Sequence, residues 1–200
     1  MTAAIEFPRA GGWTAEDLED LPDDGLRREL LDGVLLVSPS PTDIHQIIVG
    51  RLMVALEESC PSDLQVTQGV EIRISPTRSF IPDVLVATDE AAQRRGRYYT
   101  PKEVVLAVEI VSPTSLAMDR VTKPALYASA GIPYYWRIET TNGIVVHAQK
   151  LDPEPGIYRP VEIFDGRIRT LEPWPIDIPV KRLTPRHLAS GQGFHGDGQD

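Results

Sequence analysis

The run from Val104 to Val111, Val-Val-Leu-Ala-Val-Glu-Ile-Val, leaves this chain few choices, because every residue in it is apolar except the acid Glu109. A short, β-branched run of this kind reads as a strand buried on both faces, so it needs a sheet with cover on each side. An unpaired carboxylate inside such a strand costs several kcal/mol. Glu109 must therefore meet a metal ion, a cation or a set of hydrogen-bond donors, which makes it a candidate site residue.

A second acid fits the same reasoning. Pro82-Asp83 opens Val84-Leu85-Val86-Ala87, another short apolar strand, and the interval to Glu109 holds one excursion loop and a return strand. Acids on neighbouring strands can share one hard cation, since Mg²⁺ binds through one or two carboxylates and keeps several waters.

Around these strands the chain alternates short elements. Thr14 to Asp17 marks the start of a short helix. Leu26 to Leu31 and Val34 to Val37 flank Asp32-Gly33, a strong hairpin signal that puts Glu29 on a strand beside a tight turn. By position alone Glu29 is either a solvated acid paired with Arg27 or Arg28 or part of a site. Ile44, Ile47, Ile48, Leu52, Ala55 and Leu56 recur at helical spacing, with His45 in the first turn, where a lone histidine is more often a local hydrogen-bonding residue than a ligand. Residues 88 to 102 hold Arg94, Arg95, Arg97 and Lys102 with Tyr98 and Tyr99. Cations and aromatics so interleaved suit phosphates and bases, or form a solvated loop offsetting Asp89, Glu90 and Glu103.

Residues near 120 to 130 read as a helix capped by Gly131. Pro124 is tolerable only in a first turn, so Lys123 should lie at or near the amino-terminal end with Asp119 just outside. Strands are expected at Tyr134 to Ile138, Ile144 to Ala148, Ile157 to Ile163 and Arg167 to Leu171, the later ones an antiparallel appendage. Residues 1 to 12 read as a loose leader. A single domain is expected over 1–189, with its core at about 26–139 and the appendage at about 140–175. The Gly-rich tail from Ser190 to Asp200 should be disordered.

Composition narrows the function. A net charge of −9 argues against a protein that coats nucleic acid nonspecifically, although a cleft with its own local field can still bind it. Cys60 is the only cysteine, so no intramolecular disulfide can form. No apolar run could span a bilayer, and residues 1 to 10 lack the pattern of a signal peptide, so a cytoplasmic location is expected. No Gly-x-Ser-x-Gly elbow, zinc spacing or phosphate-cradling Gly-Lys-Ser/Thr loop is present.

Pro82-Asp83, Glu109-Ile110-Val111, Asp119, Lys123, Tyr127 and Gly131 to Trp136, with Glu29 to Gly33 and His45 before them, resemble the Uma-type family of restriction endonucleases within the PD-(D/E)XK nuclease superfamily. The likeness covers roughly residues 26 to 139 in one order. It implies a restriction-endonuclease-like α/β (α+β) fold, a mixed central sheet flanked by helices. It also implies a Mg²⁺- or Mn²⁺-dependent endonuclease acting on nucleic acid, DNA in particular, and leaves a homodimer open. The site it implies is Asp83, Glu109, Lys123 and Glu29 as catalytic residues, with Asp83, Glu109 and the backbone carbonyl of Ile110 as metal ligands. Arg94, Arg95, Arg97, Tyr98 and His45 are candidates for substrate contact. The superfamily's usual lysine would stand two residues after Glu109, on the same strand face, and there the chain has Val111. The resemblance implies that the lysine has moved to the next helix, as Lys123. The opposed expectation is a nuclease-like fold without catalysis, kept as a nucleic-acid-binding or protein-interaction module.

Overall fold

Val104–Ile110 lies in the middle of a six-stranded sheet in the computed structural model, which describes residues 4–6, 11–22, 24–38 and 40–189, with backbone alone at 4–6, 187 and 189. The tail expected from Ser190 lies outside the described residues, as does most of the expected leader, but the leader's residues Ala4–Glu6 are not loose: they pair as a strand against Leu35, Leu36 and Val37.

Strands β1 (Ala4–Glu6), β2 (Arg27–Leu31) and β3 (Val34–Ser38) begin a first sheet. β2 and β3 form the expected hairpin: Asp32 and Gly33 adopt φ of 53° and 80°, the left-handed conformation that a two-residue turn of matching twist requires. Helix α1 (Asp43–Glu57) follows, and the side chain of Thr42 caps it by accepting from the His45 backbone N–H. β4 (Leu64–Gln68) forms one edge of the central sheet. β5 (Glu71–Ser75) and β6 (Arg78–Phe80) return to the first sheet, and β7 (Val84–Thr88) enters the central one. After the short α2 (Asp89–Gln93) and β8 (Tyr98–Tyr99), β9 (Val104–Ile110) runs antiparallel beside β7. Helix α3 (Lys123–Ser129) then carries the chain over the sheet to β10 (Tyr134–Glu139), parallel to β9.

β11 (Val145–Asp152) and β12 (Ile157–Phe164) extend the sheet antiparallel, giving the order β12-β11-β10-β9-β7-β4. β13 (Arg167–Thr170) and β14 (Ile176–Pro179) pair separately. Their Ile168, Ile176 and Ile178 join Trp174 in the core beneath α1, so this part of the chain is built into the interior.

Side-chain alternation sorts the central strands. Val84, Val86, Leu106, Val108 and Ile110 face α1, packing against Ile48, Leu52 and Leu56. Leu85, Ala107 and Tyr135 face the other way, against Ile72 and Phe80 of the first sheet and Tyr127 of α3. β9 is thus covered on both faces, as its composition requires. Two residues on from Ala107, Glu109 projects toward α3 and the first sheet.

Pro124 shapes the approach to α3. The five residues before the α-helix, Met118–Thr122, form a π-helical turn, so Asp119 is held inside this wider turn and Lys123 is the first residue of α3. No helix among the described residues is long and apolar enough to cross a membrane.

Candidate active site

The Asp83 N–H donates to the Val108 carbonyl at 3.0 Å, which continues the β7–β9 ladder by one step and sets Asp83 opposite Glu109. The Asp83 carboxylate accepts from the Ile110 backbone N–H at 2.8 Å and from Arg27 Nη1 at 2.7 Å, and lies 3.1 Å from His45 Nε2. Arg27 and Glu29 are two apart on β2 and share a face. Glu29 Oε1 accepts from the Ile81 N–H at 2.9 Å and from Lys123 Nζ at 3.0 Å. Lys123 Nζ also stands 3.1 Å from Glu109 Oε1 and 3.8 Å from Asp119. One helical turn on, the Tyr127 hydroxyl donates to the same Glu109 oxygen at 2.9 Å. Lys123 and Tyr127 are four apart, so one face of α3 delivers both groups to Glu109.

Glu29, Asp83, Glu109, Asp119 and Lys123 are all buried, and the environment treats the acids differently. Burial would raise Asp83, but the hydrogen bond with His45 and the charge of Arg27 outweigh it and hold the carboxyl well below its ordinary range. Burial acts on Glu29 in the same way, and the charges of Lys123 and Arg27 pull it below its usual value. Glu109 goes the other way. Its burial is reinforced by the charges of Asp119 and Asp83, and Lys123 does not offset the sum, so its carboxyl is pushed well above the ordinary range. Asp119 is raised, mainly by burial. Lys123 would be lowered by burial, but Glu109 and Glu29 raise it above its usual value, so the ammonium stays charged. Crowded carboxylates whose pKa values are driven apart mark functional sites more often than structural ones.

The donors these residues offer could hold a hard divalent cation that keeps most of its waters. Four buried acids face the buried Lys123 ammonium and the Arg27 guanidinium, whose side chain is 24% exposed, so the acids outnumber the cations two to one, His45 not counted. Among the described residues no three His, Cys, Asp or Glu side chains stand ready to grip a metal. The physical reason is Arg27: its guanidinium fills the space between the acids, 2.7 Å from Asp83, 3.5 Å from Glu29 and 3.9 Å from Glu109. A pair of carboxylates with one backbone carbonyl suits Mg²⁺ or Mn²⁺ and falls short of a closed cage.

Asp83, Glu109, Lys123, Glu29 and His45 thus converge, at the end of β9 where Ile110 also lies. Arg94, Arg95, Arg97 and Tyr98 do not join them. β7 runs away from Asp83 for five residues before these appear, about 16 Å along a strand. Arg94 pairs with Glu103, and Tyr98 lies under the Arg73 guanidinium, 3.8 Å from it. Sequence reading weighed Arg27 only as a surface partner for Glu29. What could have promoted it is its position two residues from a suspected site acid, on the same strand face.

Among known proteins, no curated protein matches this chain. A crystal structure of a "putative nuclease belonging to DUF820" from Anabaena variabilis superposes with a TM-score of 0.64 over 85% of this chain and 96% of that one, at 16% sequence identity. That likeness is one of fold, and the fold here is restriction-endonuclease-like: a mixed central sheet with helices against it and antiparallel strands after the core. The family model described as "Putative restriction endonuclease" matches residues 15–177, and the chain belongs to that family, Uma2.

Proposed function

We propose that this protein is a metal-dependent endonuclease that hydrolyses phosphodiester bonds of nucleic acid, DNA in particular, within a reducing cytoplasmic compartment. The observation that carries the reading is the Lys123 ammonium, brought from α3 to within 3.1 Å of Glu109, where the strand itself has only Val111. A charged lysine beside two ladder-paired acids is a set that can serve metal-assisted phosphodiester hydrolysis. Asp83, Glu109 and the Ile110 carbonyl would hold the Mg²⁺ or Mn²⁺ ion, which when bound polarises the scissile phosphate and lowers the pKa of a water.

The chain's own groups do the rest. Lys123, kept charged by Glu109 and Glu29, offers its one remaining N–H donor to the attacking water or to a phosphate oxygen as negative charge builds there. Tyr127 fixes the rotamer of Glu109 through its hydroxyl, and Glu29 anchors Lys123 while itself held by the Ile81 N–H. His45, with Nε2 3.1 Å from the Asp83 carboxylate, would help orient that acid. The competing reading, a non-catalytic binding module, draws on Arg27, which already neutralises part of the acid cluster.

Calorimetric titration of Mg²⁺ and Mn²⁺ into wild type and Glu109→Gln separates the two. Saturable binding that the substitution abolishes supports the nuclease. Absence of binding to either ion supports the module.

A further inference from the structure

Beyond the acids, the ladder continues to a second polar group that the chemistry above does not use. Glu109 on β9 is in register with Arg137 on β10, and Arg137 with His147 on β11, so the three share one sheet face with Asp83 on the other side of Glu109. β9 and β10 are parallel, and this row lies near their carboxyl ends, the edge of a parallel sheet where ligands commonly bind. Glu139, also on this face, is already engaged: its two oxygens accept from Arg120 Nε and Nη2 at 2.9 and 2.8 Å. Arg137 Nε lies 2.9 Å from one of those oxygens without hydrogen-bond alignment, and it is a buried donor with no hydrogen-bond partner among the described residues. Two guanidinium groups therefore share one carboxylate, and one of them has donors to spare. The His147 imidazole beside them is held below its usual pKa by burial and then by the charge of Arg137, so it adds a neutral polar edge to the row.

We infer that Arg137, backed by Arg120 and Glu139, is a phosphate subsite that grips the nucleic-acid backbone one nucleotide away from the bond cut at Asp83 and Glu109. This rests on the nucleic-acid reading of the same site and deepens it. One strand spacing, about 4.8 Å, separates Glu109 from Arg137 along the row, and the long arginine stem extends that reach. A backbone laid across the strand ends would have one phosphate at the acids and its neighbour over Arg137. Arg94, Arg95 and Arg97 are then bystanders at the other end of the sheet. Glu139 keeps Arg137 extended and screens its charge until a phosphate, with better-aligned acceptors, takes the free donors.

The test is fluorescence anisotropy with a labelled duplex oligonucleotide, in EDTA and in Ca²⁺, at several salt concentrations. Arg137→Met should weaken binding about tenfold or more, as expected for hydrogen bonds to a charged group. It should also reduce the slope of log affinity against log salt by about 0.9, the loss of one phosphate contact. Arg137→Lys keeps the charge without the fork, so it should retain the slope and lose affinity, which guards against a folding defect in the first variant. The triple variant Arg94→Met, Arg95→Met, Arg97→Met should bind as wild type does. Unchanged affinity and slope in Arg137→Met, or loss confined to the triple variant, would overturn the inference while leaving the nuclease reading intact. A wild type that binds no duplex in either condition would overturn both.

Discussion

Replacing Lys123 with Met removes a buried ammonium, 3% exposed, while keeping most of the side chain's volume, so the change is chiefly one of charge. Glu109 and Glu29 would each lose a partner at 3.1 and 3.0 Å. Removing one member of a buried ion pair costs about 3–5 kcal/mol, because the remaining charge stays buried. For a chain of this size that corresponds to a fall in Tm of about 6–20 °C. The cost depends on pH, since Glu109 already holds its proton unusually tightly and loses its favourable neighbour in the variant. Below the raised pKa the carboxyl is neutral and part of the penalty disappears, at about 1.4 kcal/mol per pH unit. Urea unfolding in EDTA at pH 8 and pH 5 should therefore show a large destabilisation at pH 8 and a clearly smaller one at pH 5. Adding Glu109→Gln to Lys123→Met should recover stability at pH 8. A loss below 1 kcal/mol at pH 8, or one equal at both pH values, would refute the reasoning by showing these charges to be solvated.

Four further outcomes follow from the same geometry. Arg27→Met empties the space between Asp83 and Glu109, so Mn²⁺ should bind at least as tightly as to wild type by calorimetry, and the variant should gain more in Tm from added metal; weaker binding would mean that Arg27 supports the ion instead of standing in its place. Tyr127→Phe withdraws a donor from a buried carboxylate and should cost about 1–3 kcal/mol in denaturant unfolding. Because the folded-state pKa of Glu109 is raised, the folded protein binds more protons than the unfolded chain between the ordinary carboxylate value and the raised one. In EDTA its contribution to stability should therefore decline as pH rises through that window, and Glu109→Gln should flatten the decline. Metal binding must expel that proton, so affinity should increase with pH over the same window, and calorimetry in buffers of different ionisation enthalpy should register the release.

Much of this arrangement was legible in the sequence because burial forces the pattern. Seven apolar residues around Glu109 required cover on both faces, and α1 with the first sheet and α3 supplies it. Asp32-Gly33 specified its turn, since few residue pairs accept left-handed φ twice in succession. Pro124 placed Lys123 in the first turn of α3, although the π turn before it left no sequence mark. β4 and β14 escaped notice: β4 is an edge strand with only Val66 buried, and β14 is a four-residue strand with a proline at its end, so the alternation in each is too short to stand out. Within the site, the acids announced themselves by being costly to bury. Arg27 did not, because an arginine next to another arginine on a half-exposed strand looks like ordinary surface until the fold turns it inward. The basic loop at 94–97 stayed open between two readings for the complementary reason, since composition reports charge and says nothing about which end of a sheet the charge occupies.

In the proposed reaction Lys123 acts on the reacting phosphate while Asp83 and Glu109 would hold the ion. Single-turnover cleavage of a labelled duplex by Lys123→Met, at a metal concentration that calorimetry shows to saturate the variant, tests it most directly. The expected result is retained Mn²⁺ binding with cleavage reduced by at least about a hundredfold, in the range found when one transition-state donor is removed. Cleavage at the wild-type rate with the metal bound would contradict it.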